Sequence, residues 1–286
     1  MDDPNFPANL DISPLPLTID PSQPRAHGSC SAHQPNNAPD QWGQRDAIRK
    51  YGIAGRVWEA TVPLIDYLTP GAAYDPPCPV YGPGPRRIIE LGSGQSLPSL
   101  HMASHLDEDD TVILTDLPQV IELCQQSIDS WRKTHENGAR VTAQPLAWGE
   151  DSSHLRKYGP FTHILMCDLV YFPHLYPPLL RTLLELTEPE TIPEEETFGP
   201  VVILSYKSRT LSLEESFFDV FGQYFKMDPV IGGQWDAKMF ICRRWKTTEE
   251  WSLPNVKDVM TARKGIVRGR DYGLVDQLYG SLEWEV

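Results

Sequence analysis

The chain has 286 residues, 40% of them hydrophobic, which supports one core of moderate size with flanking tails. Its formal net charge of -14 at pH 7 argues against nucleic acid as the main partner, because binding to phosphates needs clustered Lys and Arg. Five scattered cysteines without a C-x-x-C pair indicate neither a disulfide framework nor a metal site.

The N-terminal sequence and the apolar runs bear on where the protein resides. The first ten residues combine acids and prolines where a signal peptide would have a basic end and an apolar segment. The longest apolar runs are too short to span a bilayer. We therefore expect a soluble protein with no membrane contact, cytoplasmic and also nuclear as a second location, and we expect a monomer.

Composition divides the chain into an arm, a domain and an appendage. Residues 1–40 contain eight prolines and little periodic apolar content, which predicts a flexible Pro-rich N-terminal arm. Residues 41–245 carry the alternating strand and helix patterns of one domain. Residues 246–286 break that rhythm and are predicted to be a C-terminal appendage, with short helices around residues 256–262 and 274–279.

The first amphipathic helix of the domain follows Gly55. Its apolar residues recur at helical spacing, and Thr69-Pro70-Gly71 ends it: Val62, Leu64, Ile65 and Leu68. Trp58, just before this helix, is either core filler or a lid beside a ligand.

A glycine loop follows the first predicted strand. The apolar run from Ile88 to Leu91 leads directly into Gly92-Ser93-Gly94, where only glycine allows a tight turn and close approach of backbone to a ligand. A second β-branched run ends in Asp116, about 20 residues beyond the glycines, where doubly wound nucleotide folds place the carboxylate that holds a ribose. This spacing predicts a cofactor that carries a ribose.

The residues around the glycines distinguish between cofactors. A dinucleotide fingerprint needs a third glycine at the position of Leu97, so NAD is disfavoured. The form E-x-G-x-G, led by Glu90, suits S-adenosylmethionine, because the ammonium of its amino-acid tail needs acidic and carbonyl partners. The alternative is an ordinary glycine turn between a strand and a helix.

Asp116 has a second interpretation. Asp116-Leu117-Pro118-Gln119 has the form of a capping box, with Asp as the N-cap of the following helix and proline early in its first turn. Both roles are compatible with the sequence.

The rest of the domain repeats the alternation. A third strand precedes Trp148, a fourth ends at Asp168, and the next helix begins with Pro177 and Pro178 in its first turn. The loop of residues 188–196, rich in Glu, is either solvated or attracts a basic substrate. A fifth strand, a helix and two runs that read as an antiparallel hairpin close the pattern. The sequence predicts an α/β fold, a doubly wound, mostly parallel sheet.

Several candidate residues directly follow strands. In open α/β sheets, ligands bind beyond the carboxyl ends of the strands, so these residues should meet at one rim: Gly92, Gly94, Asp116, Trp148 and Asp168. Asp168 and Tyr171 follow the strand expected to neighbour the first one. They should therefore stand beside the group that reacts.

A set of motifs in order carries a resemblance to a known family. GRVWEA, ELGSGQSLPSL, LTDLP, PLAWGE, DLVY and SYKSR followed by EESFF resemble the family-16 seven-β-strand lysine methyltransferases, a methyltransferase-like group that modifies chaperones and translation elongation factors. The resemblance runs from about residue 55 to residue 245, and DLVY matches that family's D-x-x-Y. It implies a seven-stranded Rossmann-like methyltransferase sheet and S-adenosylmethionine as the cofactor.

The resemblance also implies site residues. Asp168 and Tyr171 would be catalytic and line the channel for the lysine of a protein substrate. The cofactor would be bound by Trp58, Glu90, Gly92, Ser93, Gly94, Asp116, Leu117, Trp148 and Asp168. One departure is Ser96, where the family has a third glycine. Because serine can occupy a helix start, the departure bears more on cofactor affinity than on the fold.

The implied reaction is an in-line methyl transfer, so the protein must mainly align an uncharged amine with the methyl group and exclude water. Asp168 would orient the amine and the ring of Tyr171 would face the cationic substrate or product. Two alternatives remain. One is methylation of a small molecule or a base, for which such enzymes place prolines where this chain has Leu169 and Val170. The other is a scaffold without activity, for which Ser96 is the hint.

Overall fold

The computed structural model describes residues 12–15, 43–135 and 138–269. Its centre is a seven-stranded sheet in the order β3-β2-β1-β4-β5-β7-β6. The strands are β1 Arg87–Leu91, β2 Thr111–Asp116, β3 Arg140–Pro145, β4 His163–Cys167, β5 Thr197–Tyr206, β6 Phe225–Pro229 and β7 Lys238–Trp245. Strands β1 to β5 are parallel to one another, while β7 is antiparallel to both β5 and β6. The predicted fold, including the closing hairpin, is confirmed.

Helices cover both faces of the sheet. They are α1 Gln44–Tyr51, α2 Thr61–Tyr67, α3 Leu97–Ala103, α4 Ile121–Arg132, α5 Tyr176–Leu186 and α6 Leu211–Tyr224. Leu64 of α2, Leu100 of α3 and Cys124 of α4 pack in one buried cluster, while α5 and α6 contribute Leu180 and Phe217 to a second. The paired prolines lie in the first turn of α5, as predicted. None of the helices in the described residues is long and apolar enough to cross a membrane.

The order of the strands places the ligand site. Chain order reverses at β1, since β2 lies on one side of it and β4 on the other. The loops that follow β1 and β4 therefore leave the sheet side by side at its carboxyl edge. This is the edge where the sequence predicted that the polar residues meet.

The acidic loop of residues 188–196 lies at the other edge of the sheet. It connects the end of α5 to the start of β5, and β5 is parallel to β4, so the loop stands at the amino ends of the parallel strands. Glu188 pairs there with Arg244, which lies over the ring of Trp251 with its guanidinium carbon 4.6 Å from the ring centroid. The loop therefore lies away from the carboxyl edge of the sheet, and its attraction of a basic substrate stays a prediction.

The chain after β7 packs against the domain as far as residue 269. Val259 is fully buried, and the Tyr224 hydroxyl donates to the carbonyl oxygens of Val259 and Ala262 at 2.6 and 2.9 Å. Residues 256–262 form turns instead of the expected helix. The second expected helix, at 274–279, lies outside the described residues.

A short piece of the predicted arm contacts the start of the domain. The amide of Gln44 both accepts from the Leu15 N–H at 3.1 Å and donates to the Leu15 carbonyl at 3.2 Å. Arg56 donates through Nε to the carbonyl of Ser13 at 2.9 Å. The remainder of residues 1–40 lies outside the described residues.

Candidate active site

The loop after β1 needs glycine at two places. Gly92 and Gly94 have φ of 58° and 47°, in the left-handed region that glycine adopts without strain. A Cβ atom on Gly92 would lie 2.8 Å from a methyl carbon of Leu169, and one on Gly94 would lie 2.7 Å from the carbonyl oxygen of Ala54. Both glycines are therefore required by the closeness of the surrounding chain.

Ser96 ends the same loop and precedes α3. It also has a left-handed backbone, with φ of 61°, which costs a non-glycine residue about 1–2 kcal/mol. Its hydroxyl is buried, makes no capping bond to α3 and has no hydrogen-bond partner among the described residues. The serine is at a helix start, as the sequence suggested, but it does not cap the helix.

Asp116 ties the glycine loop to the end of β2. One carboxylate oxygen accepts from the N–H of Gly94 and the other from the N–H of Leu117, both at 2.8 Å. A 3-10 turn at Pro118–Val120 separates Asp116 from α4, so the interpretation of Asp116 as part of a capping box is wrong. Burial raises the pKa of this carboxyl to about 6, although both backbone N–H groups oppose the shift.

Glu90 lies in β1, directly before the loop. The residue is 2% exposed, and its Oε2 atom has no hydrogen-bond partner among the described residues. Burial raises the pKa of Glu90 to about 8. An orphaned, buried carboxyl oxygen is stabilised by a cationic ligand group that donates hydrogen bonds to it.

One cavity of about 540 Å³ joins these groups. All of the catalytic and cofactor-binding residues predicted from the sequence line it, from Trp58 to Tyr171, including Ser93, Leu117 and Trp148. The cavity has the size of a small-molecule site. Its groups fit S-adenosylmethionine, because the ammonium matches Glu90 and the ribose matches the carboxylate of Asp116.

Asp168 stands at the end of β4 with its carboxylate enclosed. Its backbone has φ of 60°, and its side chain is 0% exposed. Arg209 makes a two-pronged ion pair with it, with N to O distances of 2.8 and 2.6 Å. The N–H of Lys207 donates to the same carboxylate at 3.1 Å. Three of the roughly four acceptor positions of this carboxylate are thus in use.

The ion pair continues into a network around Trp58. Glu59 accepts from Arg209 at 2.8 Å and from Arg56 at 2.8 and 3.2 Å. The guanidinium carbons of Arg56 and Arg209 lie 4.4 and 5.0 Å from the Trp58 ring centroid. Burial opposes ionisation of Glu59, but the bonds and charge of Arg56 prevail and lower its pKa to about 2.

Tyr171 completes the aromatic side of the cavity. Its ring is parallel to that of Trp58, with an interplanar angle of 5° and centroids 6.4 Å apart. Phe172 meets Tyr171 edge-on at 4.7 Å. Two parallel aromatic faces therefore lie beside the carboxylate of Asp168, in the manner of sites that accept a cationic group.

Sequence reasoning missed the arginines and Glu59. Arg56 and Glu59 lie three residues apart within GRVWEA and Arg209 ends SYKSR, so the motifs contain them, but no sequence spacing indicates that Arg209 pairs with Glu59 or Asp168. Arg209 is 41 residues from Asp168 and 150 from Glu59. Only the close approach of the ends of β4 and β5 brings these groups together.

Comparison with known proteins gives consistent results. A family model described as lysine methyltransferase matches residues 43–223. The chain is 30% identical over 172 residues to "EEF1A lysine methyltransferase 3" of Mus musculus, covering 59% of this chain and 62% of that protein. It is 29% identical over 187 residues to "Protein N-lysine methyltransferase METTL21A" of Danio rerio, covering 64% and 73%. It is also 29% identical over 116 residues to "Calmodulin-lysine N-methyltransferase" of Arabidopsis thaliana, covering 40% and 37%.

Proposed function

The chain belongs to the lysine methyltransferase family, and we propose that it transfers a methyl group from S-adenosylmethionine to a lysine side chain of a protein. The observation that supports this most directly is one shared cavity. It brings the glycine loop, Asp116 and the buried carboxyl of Glu90 together with Trp58, Tyr171 and Asp168. The part of the cavity lined by the glycine loop, Glu90 and Asp116 is the cofactor half. The part lined by Trp58, Asp168 and Tyr171 is the acceptor half.

In the cofactor half, the chain supplies complementary polar groups. Bound S-adenosylmethionine would bring an electrophilic methyl group on a sulfonium. Glu90 would hold the ammonium, and Asp116, whose oxygens each accept one backbone N–H, retains further acceptor capacity for the ribose hydroxyls. The two glycines keep the loop backbone close to the ligand.

In the acceptor half, the aromatic pair and the charge network prepare the lysine. The ring of Tyr171 offers a π face to a cation, a contact worth about 0.5–2 kcal/mol, which favours binding of the lysine and of its methylated product, while the Trp58 ring contacts Arg56 and Arg209. Asp168 places a carboxylate, paired with Arg209, at the end of β4. Alignment of the amine with the methyl group is the main requirement of such a transfer.

For the substrate, we propose a translation elongation factor of the EEF1A type. The proposal is supported by the name of the mouse relative, of which the matched region covers 62%. A chaperone is the alternative that the sequence motifs suggested. The name of the plant relative points to a third protein, so similarity alone does not choose the target.

The test is methylation of a cell lysate and of purified EEF1A with S-adenosylmethionine carrying a labelled methyl group. We expect label on lysine, identified by mass spectrometry, and loss of label with Asp168→Asn and with Asp168→Ala. Cofactor affinity, measured by calorimetric titration, should change little in Asp168→Asn, because the carboxylate serves the acceptor half. Label on a base or a metabolite would favour the other methyltransferase class, and no cofactor binding would favour a scaffold.

A further inference from the structure

The charge network around Trp58, formed by Arg56, Glu59, Asp168 and Arg209, bears on the protonation state of the substrate lysine. A lysine side chain has a pKa near 10.4, so it arrives mainly as an ammonium, which has no lone pair to attack a methyl group. A free carboxylate at the site would stabilise that ammonium further and raise its pKa. Asp168 is the carboxylate that lines the same cavity as Trp58 and Tyr171, so its charge would have this effect unless it is compensated.

The structure shows how the charge of Asp168 is compensated. Both of its oxygens are held by the guanidinium of Arg209, and Arg209 also pairs with Glu59, which in turn pairs with Arg56. Two arginines thus balance two carboxylates. Without Arg209, this group would carry a net charge of about -1 next to the acceptor channel.

We propose, on the basis of the proposed function, that Arg209 is a positioning residue that neutralises Asp168 and so lets the substrate lysine lose its proton inside the channel. The lysine ammonium releases its proton to water, and the nitrogen lone pair then forms the new N–C bond. The electron pair of the broken C–S bond stays on sulfur. The product is a methylammonium, which the rings of Trp58 and Tyr171 can face.

Other charged or titratable groups near Arg209 come from several elements. Lys207, at the end of β5, pairs with Asp236 at 2.8 Å, so this pair adds no net charge. Glu214 of α6 accepts from the backbone N–H groups of Arg209 and Thr210, which precede that helix. Burial raises the pKa values of the Cys167 thiol and the Tyr171 hydroxyl, so both remain neutral. The cavity is also lined by six further titratable residues that all variants below retain: Lys50, Tyr51, Glu90, Asp116, Glu122 and His174.

The pH dependence of methyl transfer separates a charge effect from a merely structural one. The acceptor is purified EEF1A or, if EEF1A is not labelled, the lysate protein that the wild type labels, with the cofactor saturating from pH 6 to pH 10. In a plot of kcat against pH, we expect the rising limb of Arg209→Met and of Arg209→Gln to lie about one pH unit above that of the wild type. Their kcat would then be about tenfold lower at pH 7, and the difference would shrink toward pH 10. Arg209→Lys keeps the charge, so its limb should stay in place even if its kcat is lower.

Arg244 offers a matched control. It is also a buried arginine, paired with a glutamate and stacked on a tryptophan, but it lies at the opposite edge of the sheet. Arg244→Met should lower the melting temperature without moving the pH limb. Calorimetric titration with S-adenosylmethionine checks that the cofactor half of each Arg209 variant is intact.

Three results would overturn the proposal. A loss of rate by the same factor at every pH in Arg209→Met would show a structural role alone. A limb that moves equally in Arg209→Lys would show that charge is not the cause. Failure of both neutral variants to bind the cofactor would show that the pair holds the fold. Failure of the wild type to label any lysine would instead refute the proposed function.

Discussion

Glu90 gives the most discriminating test of the cofactor half, because its effects on stability and on binding are expected to have opposite signs. The carboxyl is buried without a partner for Oε2, and its pKa is raised from 4.5 to about 8. In the unfolded chain it is ionised above about pH 5, whereas in the folded protein it keeps its proton to about pH 8. Glu90→Gln has nearly the same shape but no ionisable carboxyl, so its folded and unfolded states do not differ in protonation at this position.

The size of the effect follows from proton linkage. Where the folded state holds one more proton than the unfolded state, the free energy of unfolding falls by about 1.4 kcal/mol for each unit of rising pH. Between pH 6 and pH 8, the wild type should therefore lose about 2–3 kcal/mol that Glu90→Gln does not lose. Asp116, whose pKa is raised to about 6, is present in both proteins, so its contribution largely cancels in the comparison.

Urea unfolding of the unliganded proteins at pH 6 and pH 8 measures this difference, and calorimetric titration measures cofactor affinity. We expect Glu90→Gln to gain stability relative to the wild type as pH rises, and to bind S-adenosylmethionine at least about tenfold more weakly, because a charged hydrogen bond is lost. Binding to the wild type at pH 7 should release a proton, seen as a dependence of the heat on the buffer.

Glu185→Gln is the control, since this carboxylate pairs with Arg181 on α5 outside the cavity. It should leave cofactor affinity unchanged. An equal stability difference between Glu90→Gln and the wild type at both pH values would mean that Glu90 is ionised throughout. Unchanged affinity in Glu90→Gln would mean that the ammonium binds elsewhere.

Two further predictions concern stability. Ser96→Gly should raise the free energy of unfolding by roughly 0.5–1 kcal/mol, since relief of about 1–2 kcal/mol of left-handed strain exceeds the backbone entropy that glycine adds; an unchanged or lower melting temperature would contradict this. Removal of residues 1–15 should change the melting temperature little, because, among the described residues, three hydrogen bonds roughly offset the ordering of residues 12–15. Gln44→Ala should instead cost about 1–3 kcal/mol, because Gln44 is buried and also accepts from the N–H of Val57; equal effects of the two changes on urea unfolding would refute the distinction.

The sequence predicted the parts of this protein that depend on short-range pattern. Each strand carries its own apolar run, and each candidate residue directly follows a strand, so the parallel sheet brings these residues to one rim. The same reasoning failed where a side chain had a choice of partners. Asp116 has the local pattern of a helix cap, yet its carboxylate binds the N–H of Gly94, 22 residues away, and α4 begins only at Ile121.

Charge was the least predictable feature. The acidic loop of residues 188–196 is conspicuous in the sequence, but the crossover from α5 to β5 carries it away from the cavity. The charges that do surround the acceptor half come from three separate parts of the chain: Arg56 with Glu59, Asp168, and Arg209. Their pairing depends on where β5 ends relative to β4, which no local pattern encodes.

The backbone at Ser96 and Asp168 shows what the fold maintains at this rim. Among the described residues, these are the non-glycine residues with positive φ, and both line the cavity. Strain of this kind persists only where the surroundings hold it. At Asp168 the side chain itself does so, through Arg209 and the N–H of Lys207, so glycine there would relax the backbone but lose the charge network. At Ser96 the side chain makes no such bond, and the same conformation would be kept better by glycine. The contacts of the Asp168 carboxylate therefore hold its strained backbone, whereas at Ser96 only the conformation of the turn requires the strained backbone.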